Sequence, residues 1–118
     1  MPILDVEVVT RDGPVSVDTG ALAHALGAAL DSVPGSVWVR VRHLAAADYA
    51  ENGDQPDPLP VFVRVIARSG DTGRWPQHAR VIAAEVATAV RRPRERVHVI
   101  FEPDARGRVF FGDAPDSR

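Results

Sequence analysis

Two halves of the chain repeat one pattern of apolar and polar positions. Each half has a segment of alternating apolar character, then an Ala-rich amphipathic stretch, then a second alternating segment. In chain order the six segments are 3–9, 21–30, 36–41, 61–67, 81–90 and 96–101. The second and third segments of one half lie 60 residues before their counterparts in the other. A period of two predicts strands and spacings of three and four predict helices, so the pattern indicates two β-α-β units.

The two faces of the predicted sheet differ in composition. One set of alternate strand positions is uniformly apolar and should lie under the helices. The opposite set mixes large apolar side chains with charges, namely Trp38, Phe62, Ile66, Ile100, Arg40, Arg42, Arg64 and Glu102. Such a face is too apolar for solvent and too charged for a core. The sequence therefore predicts an α/β (α+β) domain in which a four-stranded sheet carries two helices on one face and assembles, or lines a site, with the other.

Turn and cap residues divide the chain further. Asp18 or Thr19 should cap the first helix, and a second Asp-Thr-Gly, at 71–73, opens the second helix about two turns earlier than the repeat alone would place it. The stretch 45–60 is the longest irregular segment, rich in proline, and is the predicted rim of a site. One domain is expected over 1–112, with repeats at about 2–53 and 59–112, followed by a flexible tail at 113–118.

Composition excludes several classes of function. The chain has 118 residues, 45% apolar content and a formal net charge of −2, which offers no basic field for nucleic acid. It has no cysteine, and its four histidines are scattered, so we expect no disulfide, no metal site and no cofactor. No apolar run approaches the roughly 18 residues of a membrane span, and the N-terminus lacks a leader pattern. These features predict a cytoplasmic protein with no membrane partner.

Local motifs resemble the tautomerase superfamily over about residues 1–112. The opening MPILDVEVV, followed shortly by Arg11, and the run SVWVRVRHLAAADYAENG are similar to the short 4-oxalocrotonate tautomerases. The run FVRVIARSGDTGR is similar to the longer 5-carboxymethyl-2-hydroxymuconate isomerases. This resemblance implies a homotrimer like that of macrophage migration inhibitory factor, no cofactor, and a small carboxylate substrate. It also implies that an N-terminal proline is the general base.

Pro2 has the chemistry that such a role needs. Once Met1 is removed, Pro2 has a secondary amine, whereas a retained Met1 leaves a tertiary amide that cannot accept a proton. Burial and nearby arginines both disfavour the protonated amine, so both lower its pKa from the usual value of about 7.7–8.0. A base is most effective when its pKa is near the working pH. Met-Pro alone carries little weight, because proline is about 5% of residues in any protein.

Two arginines match substrate-binding or polarising arginines of the isomerases. These are Arg40 and Arg74, and a guanidinium suits a carboxylate or a developing enolate oxygen. A structural alternative exists for each. Arg40 can instead pair with Asp5, Glu7 or Glu102 on the mixed face, and Arg74 can be a solvated residue of the first helical turn.

Three other residues complete the predicted site. Arg11 lies within one position of a substrate-binding arginine of the short tautomerases. Trp38 occupies the place where those enzymes carry a catalytic arginine, so their full arginine set is not reproduced. Phe111 could supply an apolar wall that lowers the pKa of the proline. Trp38 and Phe111 are otherwise ordinary packing residues.

The resulting hypothesis is a cofactor-independent keto–enol tautomerase or isomerase of a small unsaturated 2-hydroxy or 2-oxo acid, of the kind met in aromatic-compound degradation. Pro2 and Arg40 are the predicted catalytic residues; Arg74, Arg11, Trp38 and Phe111 are the predicted substrate-binding residues. Two alternatives stay open. One is hydratase, dehalogenase or decarboxylase chemistry on the same fold, with the prolyl amine as an acid. The other is a non-enzymatic trimer.

Overall fold

The elements follow the predicted order of two β-α-β units. The computed structural model describes residues 2–68 and 72–115. Its helices and strands are β1 (Ile3–Thr10), α1 (Thr19–Ala29), β2 (Trp38–Ala45), β3 (Val61–Ile66), α2 (Trp75–Val90), β4 (Val97–Phe101), β5 (Phe110–Phe111) and β6 (Ala114–Pro115). Single 3₁₀ turns lie at Ala46–Asp48, Thr72–Arg74 and Arg94–Arg96.

Strands β1 to β4 form one mixed sheet in the order β2-β1-β3-β4. Each β-α-β unit contributes a parallel pair, and the two units join through the antiparallel pairing of β1 with β3. Ile3 lies opposite both Trp38 and Ile66. The start of β1 therefore lies level with the start of β2 and with the ends of β3 and β4. We call this end of the sheet the Pro2 end. The opposite end, where β1 finishes before Arg11, is the Arg11 end.

The helices cover one face of this sheet and form the core with it. The buried strand residues are Leu4, Val6, Val8, Val61, Val63, Val65 and Val97, and the buried helix residues are Leu22, Leu26, Ile82, Val86, Ala87 and Val90. Burial of one such side chain contributes roughly 1.5–3 kcal/mol. The predicted separation of faces is confirmed.

The other face of the sheet carries the predicted mixture of charge and apolar surface. Ion pairs link neighbouring strands there, between Asp5 and Arg40, Glu7 and Arg42, and Arg64 and Glu102. Large apolar side chains lie exposed among them, and Trp38 is 49% exposed. This face also holds a concavity of about 340 Å³ lined in part by Tyr49 and Phe62.

Local signals explain where the helices begin and end. The Asp18 carboxylate accepts a hydrogen bond from the Ala21 amide at 3.0 Å, which caps α1. Helix α2 starts earlier than the repeat places it, as predicted, but by about one turn and not two, because the 3₁₀ turn Thr72–Arg74 precedes it. Pro76 lies in its first turn, where a missing N–H costs nothing. The helix ends at Arg91, in the left-handed region with φ 59°. Asp71 of the predicted opening lies outside the described residues.

Two segments differ from the expected boundaries. Strand β2 continues to Ala45, beyond the predicted end at 41, because it pairs with β1 along its whole length up to Thr10. At the C-terminus a tail was expected from 113, but β6 pairs there with β5. Gly112, with φ 67°, provides the reversal between the two short strands. Residues 116–118 lie outside the described part.

Candidate active site

Pro2 lies half-buried at the Pro2 end of the sheet, directly before β1. Its carbonyl oxygen accepts a hydrogen bond from the Trp38 amide at 3.0 Å, which extends the β1–β2 ladder by one step. Side chains alternate along a strand, so Pro2 continues the row that contains the buried Leu4. This alternation places the pyrrolidine ring toward the helix-covered side of the sheet.

Trp38 and Phe111, both predicted site residues, lie in contact at this end. Their rings meet edge to face with centroids 5.2 Å apart. The Trp38 indole N–H donates to the Gly35 carbonyl at 3.0 Å, which fixes the orientation of the ring. The pair forms an apolar wall on the open side of the sheet, at the position where Trp38 pairs with Ile3.

A second aromatic pair, which the sequence prediction did not include, lies on the helix side. Trp75 stacks on Phe101 with centroids 4.9 Å apart and planes 5° from parallel. Phe101 ends β4 and packs against the core, and Trp75 is the first residue of α2. The strand alternation predicted the direction of Phe101. The position of Trp75 depends on how α2 returns across the sheet, which the sequence pattern does not specify.

Two arginines flank the Pro2 end. Arg74 is exposed in the 3₁₀ turn that leads into α2, directly before Trp75. Arg68 is half-buried two residues after β3. The antiparallel register that sets Ile3 opposite Ile66 brings this segment beside Pro2. Neither side chain has a carboxylate at ion-pair distance within residues 2–68 and 72–115. Arg68 was missed because its placement requires knowing that β1 pairs with β3.

Arg40 lies one row further into the open face, where it binds Asp5. Its Nε and a terminal nitrogen donate to the two carboxylate oxygens at 2.5 and 2.8 Å. The hydrogen bond from Arg40 is the main cause that lowers the pKa of Asp5, and the same bond raises the pKa of Arg40. The ion pair with Asp5, which is the structural alternative to a catalytic role for Arg40, is thus present within one protomer. A role in substrate binding stays a prediction.

Arg11 lies at the other end of the molecule. Nine residue steps along β1 lead from Pro2 to Arg11, which corresponds to about 30 Å at 3.3 Å per residue. Arg11 instead faces Asp57, with a nitrogen–oxygen distance of 3.6 Å. The 45–60 segment also joins β2 to β3 at the Arg11 end, so within one protomer it does not border Pro2. Arg11 as a substrate-binding residue stays a prediction.

In the part of the chain that the structure describes, no three His, Asp or Glu side chains are grouped closely enough to hold a metal ion. None of the described helices is long and apolar enough to cross a membrane.

The architecture is that of fused 4-OT and of macrophage migration inhibitory factor, which are proteins of tautomerase fold. A fused 4-OT wild-type symmetric trimer superposes with a TM-score of 0.75 at 17% identity, covering 98% of this chain and 95% of that one. A protein crystallised after inactivation by 2-oxo-3-pentynoate superposes with a TM-score of 0.74 at 13% identity, covering 98% of this chain and 95% of that one. The macrophage migration inhibitory factor of Trichinella spiralis superposes with a TM-score of 0.71 at 14% identity, covering 97% of this chain and 99% of that one. No protein-family model matches the chain, and no curated protein is significantly similar in sequence.

Proposed function

We propose that the protein is a cofactor-independent tautomerase or isomerase of a small unsaturated 2-hydroxy or 2-oxo acid. The observation that supports this most is the position of Pro2. It lies half-buried directly before β1, where its carbonyl accepts from the amide of Trp38, whose ring in turn contacts Phe111. Arg68 and Arg74 lie on the segment that follows β3, at the same end of the sheet. The tautomerase fold of the neighbours adds support.

In the proposed reaction the Pro2 amine moves one proton. With Met1 removed, the neutral amine takes a proton from the 2-hydroxyl group or from the carbon next to the carbonyl. The resulting ammonium returns a proton to the distant end of the conjugated system, so the enzyme ends as it began. Partial burial and the nearby cations both favour the neutral amine at physiological pH. The reaction needs no redox partner, because the substrate and the product are isomers.

Arginine guanidinium groups would hold the acid. Arg74 is exposed beside the aromatic residue Trp75 and can bind a carboxylate at the entrance of the site. Arg68 is placed to share this role. Arg40 still has N–H groups beyond those given to Asp5, and its side chain is 70% exposed, so it can also polarise the reacting oxygen.

We further propose that the chain forms a homotrimer through the open face of the sheet. That face leaves Trp38 and Ile100 exposed among its ion pairs, and solved neighbours are described as trimers. Light scattering should give about three times 12.7 kDa. A monomer at micromolar concentration would contradict the proposal.

The proposed amine can be tested with 2-oxo-3-pentynoate, which inactivated one of the structural neighbours. Nucleophilic addition would form a bond between the Pro2 nitrogen and the alkyne carbon remote from the carbonyl. One π bond breaks, and the proton lost from nitrogen is balanced by one gained at the adjacent carbon. We expect loss of tautomerase activity together with one adduct on the N-terminal peptide. An adduct elsewhere, or an unlabelled peptide that still begins with Met1, would contradict the proposal.

A further inference from the structure

A cleft of about 280 Å³ lies on the helix-covered side of the sheet, at the Pro2 end. Its walls come from residues 23–28 of α1 and from the segment 32–37 that leads into β2. Among the described residues that line it, none has a carboxylate, ammonium or guanidinium group, and only His24 and Ser32 have polar side chains. An apolar cavity of about 150 Å³ is enough to hold a benzene molecule, so this cleft can take an uncharged group of that size.

The strand register places Pro2 directly beside this cleft. Ile3 lies opposite Trp38 in the parallel pair of β1 with β2. The hydrogen bond from the Trp38 amide to the Pro2 carbonyl continues this ladder by one step, so Pro2 lies opposite Val37. Val37 lines the cleft and packs against the core, on the same side of the sheet as the Pro2 ring. Because neighbouring strands are about 4.8 Å apart, the cleft begins one strand spacing from Pro2.

Hydrogen bonds hold the wall of the cleft in place. The Ser36 amide and hydroxyl both donate to the Val33 carbonyl, at 3.1 and 2.6 Å. The Ser32 amide donates to the Gly27 carbonyl at 2.9 Å, which ties the segment to the end of α1. The Val33 side chain lines the cleft and is 67% exposed. A wall that is fixed before binding has little ordering entropy to lose when an apolar group covers it.

We propose that this cleft receives an uncharged, apolar tail of the enol acid on which Pro2 acts, such as an aryl ring; the proposal rests on the function proposed above. The strand order separates the two ends of such a substrate. The cleft adjoins β2, whereas Arg68 follows β3, on the other side of β1. An acid whose carboxylate is held by Arg68 therefore extends its tail past Pro2 toward the cleft. A second carboxylate in the tail would lose its water there without a guanidinium or ammonium partner among the described lining residues.

Steady-state kinetics with phenylenolpyruvate and 2-hydroxymuconate test the cleft, because only the first has an uncharged tail. A Cβ at Gly27 would have no described neighbour within 4 Å, so Gly27→Leu fills the cleft without a clash. Leucine also favours a helix more than glycine does, so the variant should fold. It should lower the ratio of kcat/KM with phenylenolpyruvate to kcat/KM with 2-hydroxymuconate at least about tenfold. Gly20→Leu is the matched control, about two turns earlier on the same face of α1 and outside the cleft, and should keep the wild-type ratio.

Binding of the unreactive analogue 3-phenylpropanoate distinguishes failure of this proposal from failure of the proposed reaction. The backbone amide resonances of Gly27, Val33 and Val37 should shift and saturate in the wild type, and Gly27→Leu should weaken this binding at least about tenfold. Saturable shifts in a wild type that turns over neither enol acid would support the cleft as a site for an aryl acid and refute the proposed reaction alone. Absence of saturable shifts at these residues, or an unchanged kcat/KM ratio in Gly27→Leu, would overturn the proposal even if Pro2 proves to be the base.

Discussion

Replacement of Arg40 by methionine tests how firmly Asp5 holds this arginine. The variant removes both N–H donors at 2.5 and 2.8 Å but keeps the apolar stem. A hydrogen bond to a charged group is worth about 1.5–3 kcal/mol when shielded from water, and an exposed ion pair about 0.2–1 kcal/mol. The Arg40 side chain is 70% exposed, whereas that of Asp5 is 14% exposed. We therefore expect Arg40→Met to lower the free energy of unfolding by about 1–1.5 kcal/mol at neutral pH, which corresponds to a fall in Tm of about 4–6 °C.

Arg42→Met is the matched control, since it lies on the same strand and face. Its bond to Glu7 is a single contact of 3.5 Å to a carboxylate that is 32% exposed. The expected loss is a few tenths of a kcal/mol. Thermal unfolding followed by circular dichroism measures both variants. Equal losses for Arg40→Met and Arg42→Met would refute the reasoning. They would show that two short hydrogen bonds from Arg40 stabilise the protein no more than the single 3.5 Å contact of Arg42.

Acidification should remove the difference between the wild type and Arg40→Met. Arg40 lowers the pKa of Asp5 below its ordinary value of 3.8 in the folded protein. A carboxyl group with a depressed folded pKa contributes stability above the unfolded pKa and loses it as pH falls through the folded pKa. The Tm gap should thus be full at neutral pH and shrink below pH 3.8. A gap that stays constant into that acidic range would contradict the pairing.

The same variant separates the scaffold role of Arg40 from a catalytic one. If Arg40 also polarises the reacting oxygen, kcat should fall by about 10²–10³-fold, as when one oxyanion donor is removed. If it serves only the sheet, the variant should unfold at a lower temperature while its remaining native protein keeps a normal kcat. Measurement of kcat well below the Tm of the variant distinguishes the two results.

Three further substitutions have definite expectations. Arg92→Met should lower the free energy of unfolding, measured by chemical denaturation, by about 2 kcal/mol, because two backbone carbonyls lose a charged donor. Its control, Arg94→Met at an exposed position, should stay within about 0.5 kcal/mol of the wild type. Arg74→Ala should raise KM for the acid substrate and leave Tm unchanged, since the exposed side chain has no ion-pair partner among the described residues; a changed Tm with normal KM would contradict this. Trp38→Ala should speed amide exchange at Phe111, which loses its ring contact, and unchanged exchange there would count against that contact.

The fold could be predicted from sequence because its signals are local. Leu4, Val6 and Val8 report the buried face of β1 by alternation alone, and Asp18 marks the start of α1 by its ability to cap. The doubling of the unit then restricted the ways in which two half-covered sheets can combine. The earlier start of α2 was also visible, because the second Asp-Thr-Gly follows the first by fewer residues than the 60 that separate the two helix bodies.

The site was less accessible because it depends on the order and direction of the strands. The antiparallel pairing of β1 with β3 brings Arg68 beside Pro2, and no local pattern reports it. Length along β1 likewise separates Arg11 from Pro2, although both flank the same strand. The stacking of Trp75 on Phe101 follows from the path of α2 over the sheet. Residue type suggested which side chains carry chemistry, but tertiary structure decides which of them meet.

The most direct test of the proposed function is kcat/KM for ketonisation of an enol acid, phenylenolpyruvate or 2-hydroxymuconate, in the wild type and in Pro2→Ala. Both proteins should first be shown by mass to lack Met1. Pro93→Ala is the matched control, because it changes an exposed proline at the Arg11 end. We expect wild-type activity in Pro93→Ala and a loss of at least about tenfold in Pro2→Ala, at the low side of general acid–base effects because a primary amine partly substitutes. An unchanged kcat/KM in Pro2→Ala, or a wild type that keeps Met1 and still turns over, would contradict the role assigned to Pro2.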